Sequence, residues 1–136
     1  MKNSVLDSYA VLAFLFQESG HEKVVDLLEK AAAADQPVLI AAPNWAEVRY
    51  QVERKVGLSR WNETRAKLLG LPIEVVTADR DLAERAGELK VSRKMSLADC
   101  FCAALAWQKK ADLYTGDPEF RAVEKEIKVV WMYHGS

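Results

Sequence analysis

The sequence predicts a three-layer α/β fold, with a central parallel sheet of four to five strands between two layers of helices. Three observations lead there. The short apolar strand candidates lack period-2 alternation, as strands buried on both faces do. Segments with helical spacing separate them, so successive strands join through right-handed crossovers. Finally, 136 residues, 50% of them hydrophobic, suffice for one core and not two, so residues 1–136 are read as a single domain.

The elements follow in order. Ser4-Val5-Leu6 forms a strand closed by Asp7, and Leu12, Leu15 and Phe16 then recur on one helical face. After Ser19-Gly20 a second helix carries Val24, Val25, Leu28, Ala31 and Ala32, and it stops near Asp35-Gln36-Pro37, where proline breaks the backbone pattern. Val38-Leu39-Ile40-Ala41 is a buried strand. Pro43 suits the first turn of a third helix, in which Trp45, Val48, Val52 and Val56 line up beside a polar row of Glu47, Gln51 and Arg54. Gly57 ends it.

Ser59 is expected to cap a helix running through Leu69, and Ile73–Val76 is the third strand. Asp79 caps a helix bearing Leu82, Ala86 and Leu89; Ser96 opens another that reaches about Lys110. Leu113-Tyr114-Thr115 is the fourth strand, Pro118 to Val123 a short helix, and Val129–Met132 the terminal strand.

Charge narrows the function. With 19 Lys+Arg against 20 Asp+Glu, the net charge is -1, so no general basic field draws nucleic acid or anionic lipid, and any such contact is local. No apolar run approaches the ~20 residues of a membrane helix. Ser8 to Phe16 is apolar enough for a signal-peptide core, but Asp7 stands at its start and no clean cleavage pattern follows. An unprocessed cytoplasmic protein is expected. Cys100 and Cys102, two apart on a helix, point to different faces and are read as small buried thiols rather than a disulfide. His21 and His134 lack metal-ligand spacing and are assigned to surface or packing.

Four acids carry the interest. Asp7 ends the first strand, Glu47 lies in the early turns after the second, Asp99 opens a helix and Asp117 follows the fourth strand. Each has a structural account. Asp7 or Ser8 caps a helix, Glu47 complements a helix dipole, Ser96-Leu97-Ala98-Asp99 fits a capping box, and Asp117-Pro118 fits an N-cap followed by proline. Their joint position is more informative, because strand C-termini and following helix N-termini gather on one edge of a parallel sheet. Carboxylates brought together repel unless a cation neutralises them, and an all-oxygen set without His or Cys suits Mg²⁺ or Mn²⁺. Such a site suits phosphodiester hydrolysis. In the Asp99 helix, Leu97, Phe101, Ala104 and Leu105 are expected to face the core, with Cys102, Ala103 and Ala106 packed closely beside Asp99.

The segments Val5-Leu6-Asp7-Ser8-Tyr9-Ala10, Ala46-Glu47-Val48, Ser96-Leu97-Ala98-Asp99-Cys100 and Thr115-Gly116-Asp117-Pro118-Glu119-Phe120 resemble the successive motifs of PIN-domain nucleases. The likeness spans essentially the whole chain and is strongest to VapC-type toxins of type II toxin-antitoxin modules. The resemblance implies a metal-dependent endoribonuclease whose site is lined by Asp7, Glu47, Asp99 and Asp117, with Asp7 and Asp99 as direct ligands of Mg²⁺ or Mn²⁺. Thr115, and Ser8 beside Asp7, would support them. It also implies a homodimer and a cognate VapB-like antitoxin, assembled as a heterotetramer or larger. Two rivals share the fold: a non-catalytic module binding RNA or protein, and a housekeeping RNA-processing nuclease.

Arg93 and Lys94, just before the Asp99 helix, are the candidates for RNA phosphate contact. Trp45, Trp61, Trp107 and Trp131 are assigned to packing. Tyr9, Leu12, Phe16, Val24 and Leu28 either join the core or expose an apolar face to a partner.

Overall fold

A computed structural model describes residues 1–133; His134 lies outside the described residues. The chain runs β1 (Ser4–Leu6), α1 (Ser8–Leu15), α2 (His21–Ala34), β2 (Val38–Ala41), α3 (Ala42–Val56), α4 (Leu58–Leu69), β3 (Ile73–Val76), α5 (Arg80–Ser92), α6 (Leu97–Lys109), β4 (Asp112–Thr115), a 3-10 helix (Pro118–Val123) and β5 (Val129–Trp131). All four strand pairings are parallel, in the order β3-β2-β1-β4-β5. The three-layer α/β expectation therefore holds, with five strands.

Both sheet faces are apolar for the reason the strand patterns suggested. Val5, Leu39, Ala41 and Leu113 face one core, shared with Leu82 and Ala86 of α5, with α6 and with Phe120 and Val123 of the 3-10 helix. Leu6, Val38 and Ile40 face the other, against α1, α2, Val48 and Val52 of α3 and Trp61 and Leu68 of α4. Alternate residues of a strand point to opposite faces, so a strand between two cores is apolar on both sides through its middle, with the buried polar residues Ser4 and Thr115 at strand ends.

Several details correct the expectations. Ser59 does not cap α4: the helix starts at Leu58 from Gly57 at φ +92°, without a side-chain cap. The extended-to-helix turn at that glycine supplies the boundary, and Ser59 falls inside the first turn. In α6, Leu97 is 53% exposed, whereas Cys102, Ala103 and Ala106 are at most 1% exposed. This helix packs against the sheet, α3 and α5 together, so the stripe assigned to close packing around Asp99 is as deeply buried as Ala104 and Leu105, and Leu97 projects from the helix start. The terminal strand stops at Trp131, one residue short, although the Met132 N–H still donates to the Thr115 carbonyl at 3.0 Å.

Of the tryptophans, Trp61 is buried and meets Trp45 edge-on at 5.7 Å. Trp107 departs from the packing assignment: it is 47% exposed, with the Arg85 guanidinium 3.6 Å from its ring centre. Val24 and Leu28 are core residues, while Tyr9 is 40% exposed and Leu12 and Phe16 are half-buried. Cys100 and Cys102 are both buried free thiols.

Candidate metal centre

Parallel pairing sets the site's first two members side by side. Leu6 of β1 is in register with Tyr114 of β4, so the next residues, Asp7 just past β1 and Thr115 at the end of β4, stand at the same level. Asp7, 1% exposed, is the N-cap of α1: Oδ1 accepts the Ala10 N–H at 2.8 Å, and Oδ2 accepts the Thr115 hydroxyl. Thr115 Oγ1 in turn accepts the Asp117 N–H at 2.9 Å. Asp117 then caps the 3-10 helix, accepting the Glu119 N–H on Oδ1 at 2.9 Å. A β-branched Thr at the last position of a central strand thus ties two acids to one hydroxyl.

Asp99 arrives from α6. The Ser96 hydroxyl accepts the Asp99 N–H at 3.2 Å, which is one half of the expected capping box. The reciprocal half is absent, because the Ser96 N–H donates instead to Glu119 Oε1 at 3.0 Å. Glu119 takes over the capping duty and leaves the Asp99 carboxyl outside the cap, against the Asp117 carboxyl. Asp99, only 6% exposed, now faces acids: Asp99, Asp117 and Glu119 each present a carboxylate oxygen, all within 4.8 Å of one another.

Glu47 is held on the rim, one helical turn into α3. Its Oε1 accepts the Ser8 hydroxyl at 2.9 Å and the Asn44 amide at 3.4 Å. The same Asn44 amide donates to the Ala98 carbonyl at 3.2 Å. Glu47 and Asp7 lie outside the tight group of three; Thr115 connects Asp7 to Asp117, and Asn44 connects Glu47 to the residue before Asp99. All four acids expected from the sequence therefore occur on one edge of the sheet, and Ser8 and Thr115 both hydrogen-bond to them.

Two participants escaped the sequence reading. Glu119 stands two residues after Asp117, where an acid reads as an ordinary first-turn carboxylate. Asn44 stands one turn before Glu47 on the same helix face, and that i, i+3 spacing was the available signal.

The electrostatics are those of crowded, buried carboxyls without a cation, which hold on to their protons. Burial raises the Asp7 carboxyl from 3.8 to about 7; the Thr115 and Ala10 hydrogen bonds oppose the rise, and the fields of Asp117 and Glu47 add to it. Burial likewise raises Asp99 to about 8, followed by repulsion from Asp117 and Asp7. Beneath them the fully buried Cys102 thiol is pushed well above 9, by burial first and then by Asp7 and Asp99. None of the ion pairs among the described residues involves Asp7, Glu47, Asp99, Asp117 or Glu119. Arg93 is paired with Glu126 rather than with any of these acids, and Lys94 is exposed. Oxygen-only donors and excess negative charge fit a hard divalent cation, which needs several oxygen ligands and tolerates water as the rest.

The PIN-domain family model matches residues 4–126. The chain is a PIN domain. No curated protein sequence matches it, but solved structures do. A toxin-antitoxin complex from Klebsiella pneumoniae aligns at TM-score 0.74 and 19% identity, over 96% of this chain and 98% of that one. VapBC from Salmonella typhimurium, solved bound to DNA, aligns at 0.75 and 15%, over 98% and 100%. The sarcin-ricin loop cleaving toxin VapC20 of Mycobacterium tuberculosis aligns at 0.66 and 22%, over 89% and 95%. At these identities the likeness establishes the PIN fold, and what each neighbour binds or cuts belongs to that neighbour.

Proposed function

We propose that this PIN domain is a metal-dependent endoribonuclease of the VapC toxin type, restrained by a cognate VapB-like antitoxin. One observation carries the reading. Capping accounts for the carboxyls of Asp7 and Asp117, but Asp99 caps nothing, because Glu119 has taken the Ser96 N–H. A nearly buried acid against two others, without a cation, is costly to keep for structure alone.

In this reading Asp7, Asp99 and Asp117 hold Mg²⁺ or Mn²⁺, with Glu47 completing the set. When bound, the ion supplies a more acidic water and neutralises charge on an in-line phosphodiester. The chain's own residues do the positioning. Ala10 N–H and Thr115 hydroxyl fix one oxygen each of Asp7, Ser8 fixes Glu47, and Thr115 fixes the Asp117 backbone. Arg93 and Lys94, at the entry to α6, are the proposed RNA phosphate contacts; Arg93 would exchange Glu126 for phosphate.

The toxin role and antitoxin partner are supported by the neighbours named as VapBC and toxin-antitoxin complexes, and the homodimer is what the family resemblance implies. The occupied caps on Asp7 and Asp117 also favour a second reading, a non-catalytic binding module that keeps its acids for folding. Incubating the protein, Asp7→Asn and Asp99→Asn with total RNA in Mg²⁺, Mn²⁺ or EDTA, then sequencing new ends, separates them. Discrete metal-dependent cuts lost in both folded variants are expected; absence of Mn²⁺ binding and of cuts would overturn the nuclease reading and favour the binding module.

A further inference from the structure

Asn44 is the one fully buried polar side chain of the site that the proposed reaction does not use. It sits in the first turn of α3 at 0% exposure. Its NH₂ group spans two helices, reaching Glu47 Oε1 at 3.4 Å and, in the first turn of α6, the carbonyl of Ala98 at 3.2 Å. Ala98 directly precedes Asp99.

The chemistry admits only one orientation of this amide. Turned over, its carbonyl oxygen would face a carboxylate and a carbonyl, two acceptors with nothing to donate. With the NH₂ group in place, Asn44 Oδ1 is buried without a partner. An amide kept in the interior with one end unsatisfied destabilises the fold on that side. What it gains is a two-proton clamp: both N–H groups are needed, one for each helix, and neither aspartate nor a hydroxyl offers two.

We propose that Asn44 is a positioning residue, clamping Glu47 to the start of α6 so that the Glu47 carboxylate keeps a fixed offset from Asp99. This rests on the metal-nuclease reading given above. Ser8 assists from the other side: with Ser8 and Asn44 both donating to Oε1, that oxygen is committed and Oε2 is the one turned to a ligand. Asn44 touches no substrate and acts through Glu47.

The test uses the full chain and four proteins: native, Asn44→Leu, Glu47→Gln and the double variant. Asn44→Leu keeps the branched shape and removes both donors; Asn44→Asp replaces it if the larger Leu side chain does not allow folding. Mn²⁺ affinity is read by calorimetry, and kcat and KM on a cleavable RNA are read separately. A clamp acting through Glu47 predicts that Asn44→Leu weakens Mn²⁺ at least fivefold and lowers kcat at least tenfold, with KM within twofold. In the Glu47→Gln background the same change should cost less than twofold in either, since the clamp then has nothing left to position. Equal losses in both backgrounds would overturn the proposal, as would unchanged affinity and kcat in a folded variant. A native protein that neither binds Mn²⁺ nor cuts RNA would retire the nuclease reading together with the clamp, whereas native activity with an indifferent Asn44 retires the clamp alone.

Discussion

The Thr115 hydroxyl donates to Asp7 Oδ2 across the β1–β4 pair, 108 residues apart in sequence, while its oxygen accepts the Asp117 N–H at 2.9 Å. One side chain therefore opposes the burial-driven rise of one acid and fixes the backbone of another. Thr115→Val preserves shape but removes donor and acceptor together. A stability loss of about 1–3 kcal/mol is expected, because the Asp117 N–H loses its partner in a half-buried loop. The Asp7 carboxyl also rises further, since the Thr115 hydrogen bond is the largest influence opposing burial. Mn²⁺ affinity near pH 7 should fall accordingly, and Thr115→Ser should restore both. Urea unfolding and calorimetry on the three proteins check this.

The raised acids fix the sign of the metal-free protein's pH dependence. Asp7 titrates at about 7 and Asp99 at about 8 in the fold, against 3.8 unfolded. The native state therefore holds more protons than the unfolded state between about pH 4 and 8, and stability falls as pH rises through that window. Below pH 4 both states carry neutral carboxyls, and the contribution is fully present. Metal reverses the trend because it binds the ionised acids. Melting temperature in EDTA should drop from pH 5 to pH 8, and the increment from saturating Mn²⁺ should be larger at pH 8. A melting temperature that climbs with pH in EDTA would contradict the uncompensated cluster.

Much of this was legible in the sequence because it is local. The apolar strands, the Asp79 and Ser96 caps and the strand-end positions of Asp7 and Asp117 all follow from short-range rules, and the parallel fold then carries the acids to one edge. What stayed hidden depends on contacts between distant segments. Nothing near Ser96 says that its N–H is taken by Glu119, 23 residues away, so the capping box looked complete. Leu97 was misplaced for a related reason: α6 is enclosed on several sides, so a single apolar stripe does not define its inner face. Trp107 looked like core by helical spacing, yet it lies under a guanidinium at the surface.

Gly20 gives a test of the fold at a position outside the acid cluster. It starts α2 at φ +89°, and a Cβ there would lie 2.2 Å from the Met132 carbonyl oxygen. Left-handed backbone alone costs a non-glycine residue about 1–2 kcal/mol, and the obstacle is main chain beyond β5, which cannot swing aside. Gly20→Ala should destabilise by about 2–4 kcal/mol, with the loss appearing in chemical denaturation. Because Met132 donates to Thr115 from this segment, Mn²⁺ affinity should weaken in the folded fraction as well.

Gly116 presents the opposite case, an obstacle that can move. A Cβ at this position would come 2.2 Å from Tyr9 Cε1, and the ring is 40% exposed. Gly116 lies between Thr115 and Asp117, so the ring rests on the loop that carries one of the proposed ligands. Gly116→Ala must push the ring outward or the loop inward. Ring displacement costs the lost packing, about 1–3 kcal/mol on the scale of overpacked sites. Loop displacement would also shift Asp117. The two are separated by adding Tyr9→Ala, which removes the obstacle. If the ring alone yields, Gly116→Ala costs less than about 0.5 kcal/mol in that background, as expected of a coupling carried by a single contact. Its Mn²⁺ affinity then matches that of Tyr9→Ala alone. A penalty that survives the loss of the ring would place the constraint on glycine in the loop backbone rather than in its contact with Tyr9.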